Sequence, residues 1–218
     1  MMLENYYWYF QSAIPKRLCD DILQYGLKHQ DTLATTGDGE DELEKTGQLS
    51  ESTLKNIQKK RKSNVVWMND PWIYKEIQPY VHQANKNAGW NFDWDWTEDC
   101  QFTKYDIGQY YGWHTDQFNS PNKSDDPNRK GKVRKLSMTI SLNDATEYDG
   151  GQLEFDFKNE SPDEWADDTR KNTRAICHQI APVGSVVVFP SFVWHRVTPV
   201  TRGTRFSLVA WSWGQPYR

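Results

Sequence analysis

Hydrophobic and polar positions follow two different periods along this chain, and the period changes near residue 90. Before that point two segments repeat their apolar residues at helical spacing. Leu18, Ile22, Leu23 and Leu27 recur in this way after Pro15, which predicts a helix starting there. Ile73, Ile77, Tyr80 and Val81 do the same after Asp70-Pro71, a helix start with proline in the first turn, and this stretch ends near Gly89. The run from Tyr6 to Ile14 alternates aromatic and polar residues, and Val65-Val66-Trp67 is short and apolar, so both predict strands.

From Trp90 onward, short segments punctuated by Gly, Pro, Asn and Asp predict strands over 92–96, 100–106, 109–115, 134–142, 151–157, 175–180, 185–189, 193–199 and 204–213. Asp149-Gly150-Gly151 predicts a tight turn into Gln152-Leu153-Glu154-Phe155. Three polar stretches interrupt the pattern. Residues 35–63, acidic from Asp38 to Glu44 and basic from Lys59 to Lys62, predict a long surface loop or lid. Residues 117–133 and 158–174 predict loops near the mouth of a site.

These elements imply a mainly β, α+β protein. The expected core is a double-stranded β-helix, or jelly roll, over 99–213, with a mainly helical support over 1–98 packed on one sheet. The strands carry too many two-faced apolar positions to stand alone, and 218 residues suffice for one core. One domain over 1–218 is therefore expected.

Composition narrows the picture without choosing a function. Eleven Trp, eleven Tyr and nine Phe suit both a jelly-roll core and an aromatic pocket. A net charge of −4 provides no global attraction for nucleic acid. No apolar run approaches the roughly 20 residues that span a bilayer, and the first residues lack a basic stretch followed by an apolar core. Cys19, Cys100 and Cys177 are odd in number and far apart, which predicts reduced thiols and a cytoplasmic protein.

The chemistry concentrates in Tyr110-Tyr111-Gly112-Trp113-His114-Thr115-Asp116 and in two later residues, His195 and Arg205. Residues i and i+2 on a strand share a face, so His114 and Asp116 can bind one metal. With His195 they form the two-imidazole, one-carboxylate set of non-haem Fe(II) oxygenases, which leaves coordination positions open. His29, His82 and His178 lack partners at ligand spacing and read as structural. Arg205 and Ser207 are again i and i+2, inside the apolar run Phe206-Leu208-Val209-Ala210-Trp211. A guanidinium there needs an anion to offset burial and offers a carboxylate two parallel donors. Together the two sites fit a small dicarboxylate with the shape of 2-oxoglutarate.

At this point the chain resembles the prolyl 4-hydroxylase-like Fe(II)/2-oxoglutarate-dependent oxygenases. The resemblance rests on Tyr105-x-x-Gly108-Gln109-x-Tyr111-x-x-His114-x-Asp116, on Gly150-Gly151-Gln152-Leu153, and on Gly184-Ser185 through Phe189-Pro190, His195 and Arg205-x-Ser207. It covers roughly residues 100–213 and implies a cupin-like jelly roll with His114, Asp116 and His195 as iron ligands. It also implies that Arg205 binds the C5 carboxylate of 2-oxoglutarate, with Tyr105 in the co-substrate pocket and Tyr111 near the substrate. Trp113, beside a candidate ligand, is grouped with Tyr111 as substrate-facing; Trp113 and Trp194 are also placed to pack around the ligands. Some relatives use a tyrosine on the strand before the Gly-Gly turn. Here Leu136-Ser137-Met138-Thr139-Ile140-Ser141-Leu142 offers only hydroxyls, of which Thr139 or Ser141 is the candidate.

The implied reaction consumes O2 and 2-oxoglutarate, releases succinate and CO2, and hydroxylates a C–H bond, with ascorbate as a candidate reductant. A prolyl residue of a peptide or protein is the expected substrate, and a free amino acid or other small molecule stays open. A nucleic-acid demethylase of the same superfamily would show R-x-x-x-x-x-R after the distal histidine, but Trp211 stands at the second position. A non-enzymatic jelly-roll module holding a metal in a closed, four-ligand site is the alternative from another class.

Overall fold

Two helical segments, 16–28 and 71–87, pack on one sheet of a two-sheet strand core. The computed structural model describes residues 3–29, 31–35, 42, 46–158, 162 and 173–217. In chain order the first elements are β1 (Trp8–Phe10), α1 (Lys16–Lys28), β2 (Thr32–Leu33), α2 (Glu51–Lys60), β3 (Arg61–Lys62), β4 (Asn64–Met68) and α3 (Pro71–Asn87). Then come β5 (Trp96–Thr97), β6 (Cys100–Tyr105), β7 (Tyr110–His114), β8 (Val133–Ser141), β9 (Asp149–Gly150), β10 (Leu153–Asp156) and β11 (Arg174–Ile176). Strands β12 (Val186–Pro190), β13 (Trp194–Val197), β14 (Val200–Arg202) and β15 (Arg205–Gly214) close the chain.

The larger sheet runs β1-β12-β8-β15-β6-β4-β2, with β5 paired to β15; the smaller runs β11-β10-β13-β7-β3. The inner faces of the two sheets meet where Phe155 of β10 lies edge-on to Phe189 of β12, ring centres 5.0 Å apart. Two antiparallel sheets closed face to face make the jelly roll. Strand β8 shows how the sequence builds it. Leu136, Met138, Ile140 and Leu142 share a core with Ile22 of α1 and with Ile73, Ile77 and Val81 of α3. The alternate residues project into the space between the sheets: Thr139 lines an interior chamber, and Ser137 is hydrogen-bonded to Ser191.

Three expectations change on contact with the fold. Helix α1 turns Cys19, Ile22 and Gly26 inward and leaves Leu27 49% exposed. Gly26 explains the rotation, because a Cβ there would lie 2.7 Å from the Phe102 ring. Residues 35–63 are not simply a loop. Their later part forms α2, capped by Ser50 Oγ accepting from the Thr53 N–H at 3.3 Å, and then β3. Glu51 at the start and Lys59 and Lys60 at the end suit the helix dipole; with Ile57 as the helix's buried residue, no apolar stripe announces it. The acidic half, Asp38 to Glu44, lies outside the described residues except Glu42, as does most of 158–174. Asp149-Gly150-Gly151, expected as a tight turn, has positive φ at both glycines, but its first two residues also form strand β9, paired with β14 in a separate small sheet.

Among the described residues no helix is long and apolar enough to cross a membrane, and all three cysteines are buried and unpaired. Replacing Gly26 by Ala would gain about 1 kcal/mol of helix propensity but overpack Phe102 at a cost of about 1–3 kcal/mol. Gly26→Ala is expected to lower stability by about 1 kcal/mol in urea unfolding. A raised midpoint would show that α1 docks with room to spare.

Candidate active site

Strands β7 and β13 are neighbours in the smaller sheet, and their register sets His195 directly opposite His114. Cross-strand partners share a face, and the two imidazole centres stand 4.1 Å apart. Asp116 reaches them by a different route from the one expected. It lies beyond the end of β7, where the chain bends. The Asp116 and Gln117 N–H groups both donate to the Ser191 carbonyl at 2.9 Å. The Ser191 N–H in turn donates to the Lys135 carbonyl at 3.0 Å, so the larger sheet holds the carboxylate in place.

Asp116 Oδ1 is 3.6 Å from His114 Nε2, and Oδ2 is 3.4 Å from His195 Nε2. The donor atoms of the three residues lie within 4.8 Å of one another, close enough to hold a metal ion. An ion about 2.1 Å from each donor brings neighbouring donors to about 3 Å, a small contraction of what is seen. The tautomers suit this role. His114 Nδ1 donates to the Gly112 carbonyl at 2.8 Å and His195 Nδ1 to the Val193 carbonyl at 3.0 Å. A carbonyl can only accept, so each Nε2 presents its lone pair to the shared centre.

Burial, and then His114, push His195 down to about 4, against the opposing pull of Asp116. Burial alone would raise the Asp116 carboxyl, but His195 and His114 outweigh it and hold it well below the usual carboxylate range. At neutral pH His195 is therefore a neutral imidazole and Asp116 an ionised carboxylate, the protonation states that metal binding requires.

An interior chamber runs from this trio to Arg205 and is bordered by Tyr105, Thr139 and Ser207. Arg205 is 2% exposed and donates from Nη1 to Ser207 Oγ at 3.1 Å. Its guanidinium lies 5.5 Å from the centre of the Tyr105 ring, and among the described residues it has no carboxylate partner. Gly151, with φ +58°, lies beneath it; a Cβ there would stand 2.9 Å from Arg205 Cδ. Thr139 faces the chamber, whereas the Ser141 hydroxyl donates to the Asn143 carbonyl at 3.1 Å.

Outside the chamber a cleft of about 910 Å³ is walled by Trp67, Trp211 and Phe118, among others, and bounded partly by the 117–133 loop. Tyr111 borders both spaces, its ring parallel to that of His114 at 3.5 Å. Trp113 takes the other face of β7. It packs against the guanidinium of Arg196 at 4.7 Å and of Arg174 at 5.2 Å, touching the cleft but not the chamber. Trp194 likewise borders the cleft.

Two arginines escaped the sequence reading. Arg134 pairs with Glu98, which also accepts from Trp213 Nε1 at 2.6 Å. Its Nη1 donates to the Asp116 carbonyl at 3.4 Å, so this pair backs the carboxylate-bearing bend. Arg61 is buried beside Tyr111, its guanidinium 4.5 Å from the ring centre. No local motif marks either residue, because sheet pairing brings each to the site.

The depressed His195 has a consequence for the metal-free protein. Its folded value lies below the ordinary 6.5, so between pH 6.5 and 4 the unfolded chain takes up a proton that the folded protein refuses. Stability is thus full above pH 6.5 and falls as the pH drops toward 4. The loss at pH 5 is about 2 kcal/mol. Chelator-treated protein should show this in urea midpoints at pH 7.5 and 5.0, and His195→Gln should flatten the difference; an unchanged slope in that variant would remove His195 as the cause.

Residues 100–213 match the family model of the 2OG-Fe(II) oxygenase superfamily. Over 110 residues, 50% of this chain, the sequence is 36% identical to a PKHD-type hydroxylase of Thermosynechococcus vestitus. That match covers 40% of the relative, so the chain spans less than half the length of this curated protein. In three dimensions the chain is similar to a viral collagen prolyl hydroxylase from Paramecium Bursaria Chlorella virus-1, in its 2OG complex. The TM-score is 0.62 at 17% identity, over 97% of both chains. It is also similar to a prolyl hydroxylase from Trichoplax adhaerens in complex with a hypoxia inducible factor oxygen degradation domain peptide fragment. There the TM-score is 0.58 at 17% identity, over 96% of this chain and 84% of that one. At such identities the likeness speaks for the fold, and it agrees with the jelly roll. The family model spans over half of the chain and includes the histidine pair, Asp116 and Arg205; the chain belongs to the 2OG-Fe(II) oxygenase superfamily.

Proposed function

We propose that the chain is an Fe(II)- and 2-oxoglutarate-dependent dioxygenase that hydroxylates a C–H bond, with a prolyl residue of a peptide or protein as substrate. The observation that carries this reading is the shared chamber: a buried guanidinium without a carboxylate partner among the described residues faces the same space as the two-histidine, one-carboxylate trio. In this reading His114, Asp116 and His195 hold Fe(II). Two neutral imidazoles and one carboxylate leave the ion net positive and coordination positions open, which suits an anionic bidentate co-substrate. Bound iron supplies the activation of O2, with one oxygen atom going to succinate, the other to the substrate, and CO2 leaving.

The chain's own residues do the rest. Arg205 binds the distal carboxylate of 2-oxoglutarate through its fork of donors. Ser207 orients that guanidinium and Tyr105 and Thr139 wall the pocket. Tyr111 forms the threshold between chamber and cleft. Ascorbate enters only as the reductant that keeps the metal ferrous. The cleft supports a peptide substrate: its aromatic walls resemble the surfaces on which extended, proline-rich segments dock. The prolyl hydroxylases of matching fold, one of them in complex with a peptide fragment, lend support from outside the chain. The helices share their core with the larger sheet, which supports reading 1–218 as one catalytic domain.

Anaerobic titration with Fe(II) and 2-oxoglutarate tests the assignment through the visible charge-transfer band of the chelate. Wild type should develop the band, and His195→Ala should not. Arg205→Gln should need about 100-fold more 2-oxoglutarate, the loss of a paired, charge-assisted contact. An unchanged 2-oxoglutarate affinity in Arg205→Gln would remove that residue from the co-substrate site. A wild type without a band would end the oxygenase reading.

A further inference from the structure

Among the described residues the buried guanidiniums are Arg205, at 2% exposure, and Arg61, at 5%. Other arginines near the site have carboxylate partners: Arg134 has Glu98, Arg196 has Glu154 and Arg174 has Asp156. Arg61 has neutral ones. Its Nε donates to Ser63 Oγ at 2.8 Å and its Nη2 to Gln101 Oε1 at 2.6 Å. Nη1 makes no hydrogen bond among the described residues. A buried cation held only by neutral groups is costly, and an anion on the open side of the fork would offset that cost.

Position says which anion. Arg61 stands opposite Tyr111 in the β3–β7 register. Its guanidinium lies over the Tyr111 ring, and that ring is stacked on His114. It borders both the interior chamber and the outer cleft, so it faces the junction where a substrate would approach the metal. Among the described residues Lys60, Arg61 and Arg134 line the cleft together with Asp116, and Arg134 is already paired with Glu98. Arg205 lies deeper in the chamber and is assigned to the co-substrate, which leaves Arg61 to the molecule being oxidised.

Resting on the oxygenase reading, we propose that Arg61 is a specificity-determining residue that binds a carboxylate of the substrate close to the C–H bond being hydroxylated. The carboxylate has two chemical sources: the α-carboxylate of a free amino acid, or an acidic side chain beside the target residue of a peptide. Gln101 is part of the device. A glutamate in its place would neutralise Arg61 from within, and the amide leaves the charge for the ligand.

The test uses the full chain loaded with Fe(II) and 2-oxoglutarate in air, with matched acid and amide probes. One arm compares L-proline with L-prolinamide; the other compares prolyl peptides carrying Glu or Gln next to the proline. Product is read as a one-oxygen mass shift together with succinate. At least one acid probe should be oxidised with kcat/KM about tenfold or more above its amide, and the arm that shows it identifies the source. Gln101→Glu and Arg61→Gln should each erase the preference, mainly through KM, with the anaerobic chelate band still formed. Equal use of acid and amide, a preference that survives both variants, or no oxidation of any probe by an enzyme that forms the band would each overturn the proposal. Absence of the band in wild type would instead bring down the oxygenase reading on which it rests.

Discussion

The register between β7 and β13 is the constraint on which the site depends. Side chains on a strand alternate faces, so a slip of one residue would turn one imidazole away from the other. The pairing is irregular between His195 and Val197, and packing fixes it from both sides. Phe189 lies edge-on to the His195 ring at 4.6 Å, and Tyr111 stacks on His114. Backbone carbonyls two residues upstream then fix each tautomer. The imidazoles are thus held in place by backbone and aromatic contacts of the protein itself.

The third donor shows a different logic. Asp116 sits on a bend, and a bend alone would be mobile. Its N–H and that of Gln117 share the Ser191 carbonyl, while Arg134 ties its carbonyl side to Glu98. Ser191 belongs to the segment after β12, in the larger sheet. The smaller sheet therefore supplies both histidines and the larger sheet positions the carboxylate, so the trio forms only when the two sheets close on each other. Conversely, the donor set bridges the two layers beside the aromatic cluster of Phe155 and Phe189, whose ring centres lie 6.3 and 4.6 Å from that of His195.

Electrostatics divides the interior into zones. The larger sheet gives its apolar face to the helices and its polar face to the site, which is why Ser137, Thr139, Ser207 and Gln101 can be buried without forming part of the hydrophobic core. Among the described residues two buried guanidiniums stand at different depths, Arg205 in the chamber and Arg61 at its mouth, with the Asp116 carboxylate lining the same space. A protein that buries two guanidiniums beside neutral partners accepts a desolvation cost that ligands of opposite charge would relieve.

Much of this was legible in the sequence, and the legible parts are local ones. Punctuation by Gly, Pro, Asn and Asp marked off 134–142 and 204–213 as strands, because turn residues bound a segment from within its own neighbourhood. His114, Asp116, His195, Arg205 and Ser207 could be picked out because ligand chemistry depends on residue type, and Arg205 and Ser207 share a face through simple i, i+2 spacing. What the tertiary structure alone decided arises from contacts between distant segments. Helix α2 and strand β3 lie in a polar stretch whose single strong apolar anchor, Ile57, has no period to display. Arg61 reaches the site only because β3 pairs with β7, and Arg134 backs Asp116 because the Ser191 segment after β12 lies beside β8 and holds the Asp116 bend there. Leu27 faces solvent because Gly26 brings α1 onto Phe102, and Asp116 leaves its strand because Ser191 pulls the backbone aside. Residue type and spacing determined which groups this protein has for its chemistry; pairing across long stretches of chain decided which of them meet, because those hydrogen bonds and packing contacts have no signature in any one local segment.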